Sequence, residues 1–196
     1  MSTEAWVRLW GRTIGAVLLN DGEDVASFEY DPGFVASGIE VSPLVMPLST
    51  RVYSFPELAR ETFRGLPGLL ADSLPDRFGT ALIDTWLATQ GRTADSFNAI
   101  ERLCYIGNRG MGALEFAPVT GPVARGARTI QIDLLVELAS EILTQRGDLS
   151  VSLQDESRRR ALTEILRIGT SVGGARAKAL VAWNPATNEV RSGQVD

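Results

Sequence analysis

A glycine-rich segment near the carboxyl end of the sequence holds the residues best suited to bind an anion. Gly173 and Gly174 allow a close backbone approach and a positive φ, so that successive N–H groups can line up along phosphate oxygens. Ser171 adds a hydroxyl and Lys178 a positive charge to the same stretch. The segment is therefore a candidate phosphate-binding loop.

The residues after this segment predict the element into which the loop leads. An apolar run at 179–183 is followed by the turn-forming residues 184–188 and by a return strand at 189–196. This order predicts a β-hairpin that is entered through the glycine-rich loop. The loop contains neither G-x-x-x-x-G-K-[ST] nor G-x-G-x-x-G, so from the residues alone phosphate binding and an ordinary turn before a strand both stay open.

The composition excludes several kinds of site. The 196 residues include no histidine and one cysteine, Cys104, which excludes Ser-His-Asp and Cys-His catalysis and a disulfide framework. The net charge of −5 argues against nucleic-acid binding by this chain. The basic run at 158–160 is more typical of the solvated face of a helix that buries Leu162, Ile165 and Leu166. Without a long apolar run or a secretion signal, a cytoplasmic protein with no membrane span is predicted.

The first fifty residues predict short strands. In the first predicted strand Val7 and Leu9 lie on one face, and Trp6, Arg8 and Trp10 lie on the other. Further strands are predicted at 14–19 and 25–30 with a hairpin signal at 20–22, and an edge strand or extended loop is predicted at 41–48.

Helical patterns follow the strands. Pro75 fits the start of a helix that Gly91 ends, and Thr93 is a predicted N-cap for the next. The helix that Thr93 would cap spans residues 95–105. Three further helices are predicted at 57–64, 132–145 and 155–167, and residues 118–128 predict a linker.

Several residues allow a chemical and a structural interpretation. Asp72 and Asp76 are compatible with an acid–base pair, but a capping role for Asp76 beside Pro75 is favoured. Arg109, inside the glycine-rich stretch 107–112, is compatible with anion binding, but a structural turn is favoured.

Two residue types are assigned to packing on general grounds. Cys104 fits an inert position in the core. Trp6, Trp10 and Trp86 fit anchors of a core or an interface better than a cofactor site.

Three stretches, in order, resemble the HipA-like serine/threonine kinases, which act as toxins in bacterial toxin–antitoxin pairs. They are LPGLLADSLPDRFG at 66–79, IGNRGMGALEF at 106–116 and IGTSVGGARAKALVAW at 168–183. The strand pattern VRLWGRTIGAVLL also fits the small amino-terminal β-subdomain of that family. The resemblance covers nearly the whole chain.

The resemblance implies specific roles for the glycine-rich loop. Ser171 matches a serine that is autophosphorylated in the family, and a phosphate there would add about −1.5 to −2 charges where the ATP phosphates belong. Ala177 departs from the family, in which a bulkier residue is common at that position. The implied ATP contacts are Gly173, Gly174, Ala175, Arg176, Ala177 and Lys178.

The resemblance also implies that the catalytic parts lie beyond residue 196. Phosphoryl transfer needs a lysine on the phosphates, a catalytic Asp, and an Asn and a second Asp on Mg²⁺. The spacing Asp-x-x-x-x-Asn is absent from the sequence, and no metal site is assigned. Asp133 and Asp155 fit helix starts better than catalysis. The chain is therefore expected to be inactive alone, as an engineered truncation, a proteolytic fragment or the product of a disrupted gene.

The resemblance implies a fold, cofactors and partners for the parent protein. The expected fold is α+β, with a β-rich amino-terminal subdomain at 1–117, a linker and helices opening the kinase region at 118–168, and the first glycine-rich hairpin of a kinase-like N-lobe at 169–196. ATP and Mg²⁺ would serve the full-length parent, and neither is expected to bind this chain tightly.

The expected partners are a helix-turn-helix antitoxin and a protein substrate such as an aminoacyl-tRNA synthetase. The alternative is a stand-alone, non-catalytic protein that binds a partner kinase or an antitoxin.

Overall fold

The computed structural model describes residues 2–110, 112–121, 136, 140, 162–163, 165–166 and 181–192. The chain forms two compact units. The first unit comprises Met1–Leu74 and Asn98–Gly121, and the second comprises Pro75–Phe97 and Pro122–Asp196. The predicted boundaries at 117 and 168 stay a prediction.

The first unit contains a four-stranded antiparallel sheet. The alternation of apolar and polar residues produces a sheet with one buried and one exposed face. Val7 and Leu9 are buried, whereas Trp6 and Arg8 are exposed, which confirms the predicted alternation. The strands are β1 Thr3–Leu9, β2 Arg12–Leu19, β3 Ser27–Tyr30 and β4 Leu114–Ala117. They lie side by side in the order β3-β2-β1-β4.

The inner face of this sheet forms the core of the first unit. Phe28 and Tyr30 of β3 meet edge to face at 4.9 Å between ring centroids, and the Tyr30 hydroxyl donates to the backbone oxygen of Met46 at 2.8 Å. A register shift between Val7 and Arg8 accommodates the extra residue of β2. A β-carbon at Gly15 would overlap the backbone oxygen of Glu29 and the Phe28 ring, so the pairing of β2 with β3 needs glycine there.

The segment at 41–48 is a loop of bends and turns and not an edge strand, and it is not extended, because the Met46 backbone donates to the Ser42 carbonyl at 2.9 Å. Short helices flank the sheet, and the predicted helix at 57–64 is reduced to one turn that ends before Gly65 as expected. The helices of the first unit are α1 Pro32–Val35, α2 Arg60–Phe63, α3 Gly68–Ala71 and α5 Ala99–Ile106.

Helix α5 begins later than the sequence pattern predicts. Asn98, not Thr93, is its N-cap, and the Asn98 side chain accepts from the Glu101 backbone at 3.0 Å. The Glu101 carboxylate accepts in return from the Asn98 backbone at 2.8 Å, which completes a capping box. Thr93 instead precedes a short 3₁₀ turn, Ala94–Ser96, in the second unit.

The second unit contains one long described helix, α4 Arg77–Thr89, and a two-stranded sheet. Helix α4 buries Phe78, Leu82 and Leu87. Leu162 and Leu166 are buried and helical, which agrees with the predicted apolar face of the helix at 155–167. The two strands are β5 Val181–Asn184 and β6 Glu189–Ser192.

The structure confirms an α+β protein with a β-rich amino-terminal part. Among the described residues, no helix combines the length and the apolarity that a membrane span needs.

Candidate functional site

The predicted phosphate-binding residues lie outside the described residues. This holds for Ser171 and for the implied ATP contacts Gly173, Gly174, Ala175, Arg176, Ala177 and Lys178. Their roles therefore stay predictions, and so does the interpretation of the basic run at 158–160.

The hairpin after the predicted loop is described. β5 and β6 pair antiparallel with Trp183 opposite Val190, as the strand–turn–strand pattern predicts. The connecting turn is held by two asparagines: the backbone of Ala186 donates to Asn184 Oδ1 at 2.9 Å, and Trp183 Nε1 donates to Asn188 Oδ1 at 3.2 Å. Asn188 has φ 54°, a conformation that asparagine tolerates better than most residues.

The first unit presents a second candidate site, the exposed face of its sheet, here called the outer face. The outer face is formed by the outward residues Glu4, Trp6 and Arg8 of β1, Thr13, Ala16 and Leu18 of β2, Ser27 and Glu29 of β3, and Glu115 and Ala117 of β4.

Trp6 stands at the centre of the outer face. Its neighbours across both adjoining strands are alanines, Ala16 on β2 and Ala117 on β4. Side chains that small cannot cover an indole, and Trp6 is 49% exposed. An exposed aromatic ring on a rigid sheet is typical of an interaction surface.

Carboxylates surround Trp6 on the outer face. Arg8 lies opposite Glu115, an arrangement in which opposite charges stabilise a sheet. Glu4 lies opposite Leu18, and Glu29 lies opposite Ala16, so the strand register gives neither of them a basic neighbour. The outer face is therefore aromatic at its centre and acidic overall.

Trp10 lies at the turn between β1 and β2. It has φ 51° and is followed by Gly11 at φ 75°, and its side chain is 79% exposed. A position in the core was one of the two interpretations of Trp6 and Trp10, and their exposure shows that it is wrong. The other interpretation, an anchor of an interface, stays a prediction.

Arg109 is part of a structural turn, which confirms the favoured interpretation. Its side chain is 7% exposed, donates to the Tyr105 carbonyl and lies 5.2 Å from the centre of the Tyr105 ring. Burial lowers the pKa of the Arg109 guanidinium. Gly107 ends α5 with φ 60°, and its carbonyl accepts from Phe116 at 3.1 Å, which links the helix to β4.

Asp76 and Cys104 also have the structural roles that were favoured. Asp76 caps α4, because its Oδ1 accepts from the Gly79 backbone at 2.7 Å. Cys104 is buried in the core, and burial, followed by the nearby Glu101 charge, raises the pKa of its thiol to about 11. A thiol with so high a pKa is a poor nucleophile at neutral pH.

The part of the chain that the structure describes contains no group of three or more His, Cys, Asp or Glu side chains placed to hold a metal ion. The functional feature that the sequence did not single out is the pair of alanines beside Trp6. Strand alternation places Trp6 on the face opposite Val7 and Leu9, but only the pairing register identifies its neighbours.

Comparison with known proteins identifies the family of the amino-terminal region. No curated protein matches the chain. Residues 5–117 match the family model Couple_hipA, described as the HipA N-terminal domain. This range begins in β1, ends in β4 and covers more than half of the chain. The chain therefore belongs to the HipA N-terminal domain family.

Proposed function

We propose that this chain is the amino-terminal part of a HipA-like serine/threonine kinase toxin of a toxin–antitoxin pair. The observation that supports the proposal most strongly is the family match over residues 5–117, followed along the chain by a glycine-rich stretch that resembles the family's phosphate loop. The hairpin at 181–192 agrees with a loop that leads into a strand of a kinase-like N-lobe.

In this proposal the loop holds ATP by its backbone. The N–H groups of residues 173–178 line the phosphate oxygens, and Lys178 adds a positive charge. Backbone donors tolerate the departure at Ala177, because its side chain is not needed for the contact. Catalytic groups and Mg²⁺ ligands come from the parent protein, so the chain alone binds ATP weakly and transfers no phosphate.

Ser171 is proposed as the autophosphorylation site. The γ-phosphoryl group of ATP passes to Ser171 Oγ, and ADP and a proton are released. The new phosphate carries about −1.5 to −2 charges at the place of the ATP phosphates. Repulsion then prevents ATP from binding again, so the modification switches the kinase off.

Mass spectrometry after incubation with Mg-ATP tests this proposal. We expect the protein translated from the complete reading frame to gain one phosphoryl group on Ser171, and the 196-residue chain to gain none. Ser171→Ala should abolish the gain, whereas the neighbouring Thr170→Ala should leave it unchanged. Phosphorylation of the 196-residue chain alone, or an unchanged gain in Ser171→Ala, would contradict the proposal.

A second candidate function is a non-catalytic protein that binds a partner kinase or an antitoxin. The outer face, with Trp6 exposed at its centre, favours this candidate. A helix-turn-helix antitoxin is the proposed partner of either candidate, and an aminoacyl-tRNA synthetase is a proposed substrate of the kinase. Phosphate transfer by the full-frame protein supports the kinase; stable capture of a separately encoded kinase without any transfer supports the second candidate.

A further inference from the structure

We propose that the outer face is a docking surface for a basic protein segment, with an arginine side chain stacked on the Trp6 indole and paired with the carboxylates around it. This inference holds for either candidate function, because it depends only on the sheet of the first unit.

The shape of the outer face suits a planar cation. Ala16 and Ala117 leave a gap on each side of Trp6, on strands spaced about 4.8 Å from β1. A planar guanidinium fits such a gap and lies flat against the indole face. Trp is the best aromatic partner for a cation, and Arg is the cation found most often in that position.

The charge of the outer face suits the same cation. Three carboxylates, of Glu4, Glu29 and Glu115, and one guanidinium, of Arg8, belong to the outer face. Arg12, the other arginine of these strands, is directed elsewhere, since it donates to the Gly33 oxygen at 2.7 Å and lies over the Phe34 ring. The surface around Trp6 is thus negative, and it complements a basic segment.

The same charges disfavour other occupants. Stacking of RNA bases on an exposed aromatic residue of a sheet requires basic residues for the phosphates, and the outer face offers only Arg8. The carboxylates of the outer face also repel an anionic membrane. A second copy of the outer face would bring two acidic surfaces together.

Fluorescence anisotropy with a labelled octa-arginine peptide tests the inference. We expect saturable binding that weakens as salt rises, because the charges are exposed. Trp6→Ala should raise Kd about fivefold, which corresponds to about 1 kcal/mol of cation–π interaction. An octalysine peptide should bind more weakly than octa-arginine, because lysine lacks the planar group.

Matched variants separate docking from nonspecific attraction to an acidic protein. Glu4→Gln with Glu29→Gln removes two charges from the outer face, while Glu57→Gln with Glu61→Gln removes two exposed charges that belong to none of its strands. Only the first pair should weaken binding. Leu44 is 95% exposed and lies in the loop whose Met46 carbonyl accepts from Tyr30, a residue on the inner face of the sheet. Leu44→Ala should therefore have no effect on binding.

Several results would overturn the inference. Equal octa-arginine affinity in the unchanged chain and in Trp6→Ala would exclude stacking on Trp6. Equal weakening by the two glutamine pairs would exclude the outer face. Trp6-dependent binding of a decauridine oligonucleotide, or Trp6-dependent self-association in sedimentation, would assign the surface to a different partner.

Discussion

At the scale of single residues, Trp10 has a backbone conformation that does not suit its side chain. Positive φ values at two successive turn residues are typical of a type I′ hairpin, which favours Asn-Gly. Here the pair is Trp10-Gly11, with φ 51° and 75°. A bulky residue in this region is strained, and a side chain that is 79% exposed gains little from burial in return. The Trp10 side chain therefore contributes little to the stability of the folded state.

Replacing Trp10 should therefore stabilise the protein. We expect Trp10→Asn to raise the free energy of unfolding by about 0.5 to 1 kcal/mol, because asparagine tolerates the left-handed conformation. Trp10→Ala, which keeps a β-carbon without that preference, is the control and should gain less. Urea unfolding followed by circular dichroism measures both variants. A loss of stability in Trp10→Asn would show that the indole makes stabilising contacts.

The role of a single residue is predictable from the sequence where a local rule decides it. Asp76 next to Pro75 predicted a helix cap, and the cap is present. The turn at Arg109 was favoured over an anion site, and the buried contact with Tyr105 explains why. The neighbours of Trp6 on the outer face, Ala16 and Ala117, are distant from it in sequence, so no local rule could predict them.

At the scale of elements, the start of α5 illustrates a missed local signal. The pattern Asn-x-x-Glu at 98–101 is a capping box, whereas Thr93, which precedes the same apolar run, predicts an earlier start. The bond from Asn98 Nδ2 to the Thr3 hydroxyl, at 2.8 Å, additionally joins the helix to β1. That bond spans 95 positions and could not be predicted from the sequence.

Two substitutions at Asn98 separate its two roles. We expect Asn98→Ala to lower the free energy of unfolding by about 1 to 2 kcal/mol, since it removes both the cap and the bond to Thr3. Asn98→Asp keeps the acceptor for Glu101 N–H but cannot donate to Thr3, so it should lose less. Thermal unfolding checks the order, and equal losses in the two variants would contradict the separate role of the cap.

At the scale of the whole molecule, the fold class was predictable because the periodicity changes from two to about 3.6 residues along the chain. The sheet order β3-β2-β1-β4 was not, because β4 comes from residue 114 onward and pairs with the first strand. Nor was it predictable that residues 75–97 belong to the second unit although the chain on both sides belongs to the first. Such relations depend on contacts between distant residues.

The core of the first unit also determines how its stability depends on pH. Tyr30 is buried, and burial, with smaller effects of Tyr53 and Glu40, raises the pKa of its hydroxyl from 10.0 to about 12. Cys104 behaves in the same way, with a pKa raised from 9.0 to about 11. In both groups the folded state favours the neutral form, so the unfolded chain loses these protons at lower pH than the folded protein.

We therefore expect stability to fall at alkaline pH. The contribution of both groups is fully present below pH 9, the ordinary pKa of the thiol, and it is lost as pH rises through the folded pKa values of about 11 and 12. Urea unfolding between pH 8 and 11 measures the decline. Tyr30→Phe, which also loses the bond to the Met46 oxygen, should be less stable at pH 8 but should decline less steeply above pH 10. An identical slope in Tyr30→Phe would mean that ionisation of other groups causes the decline.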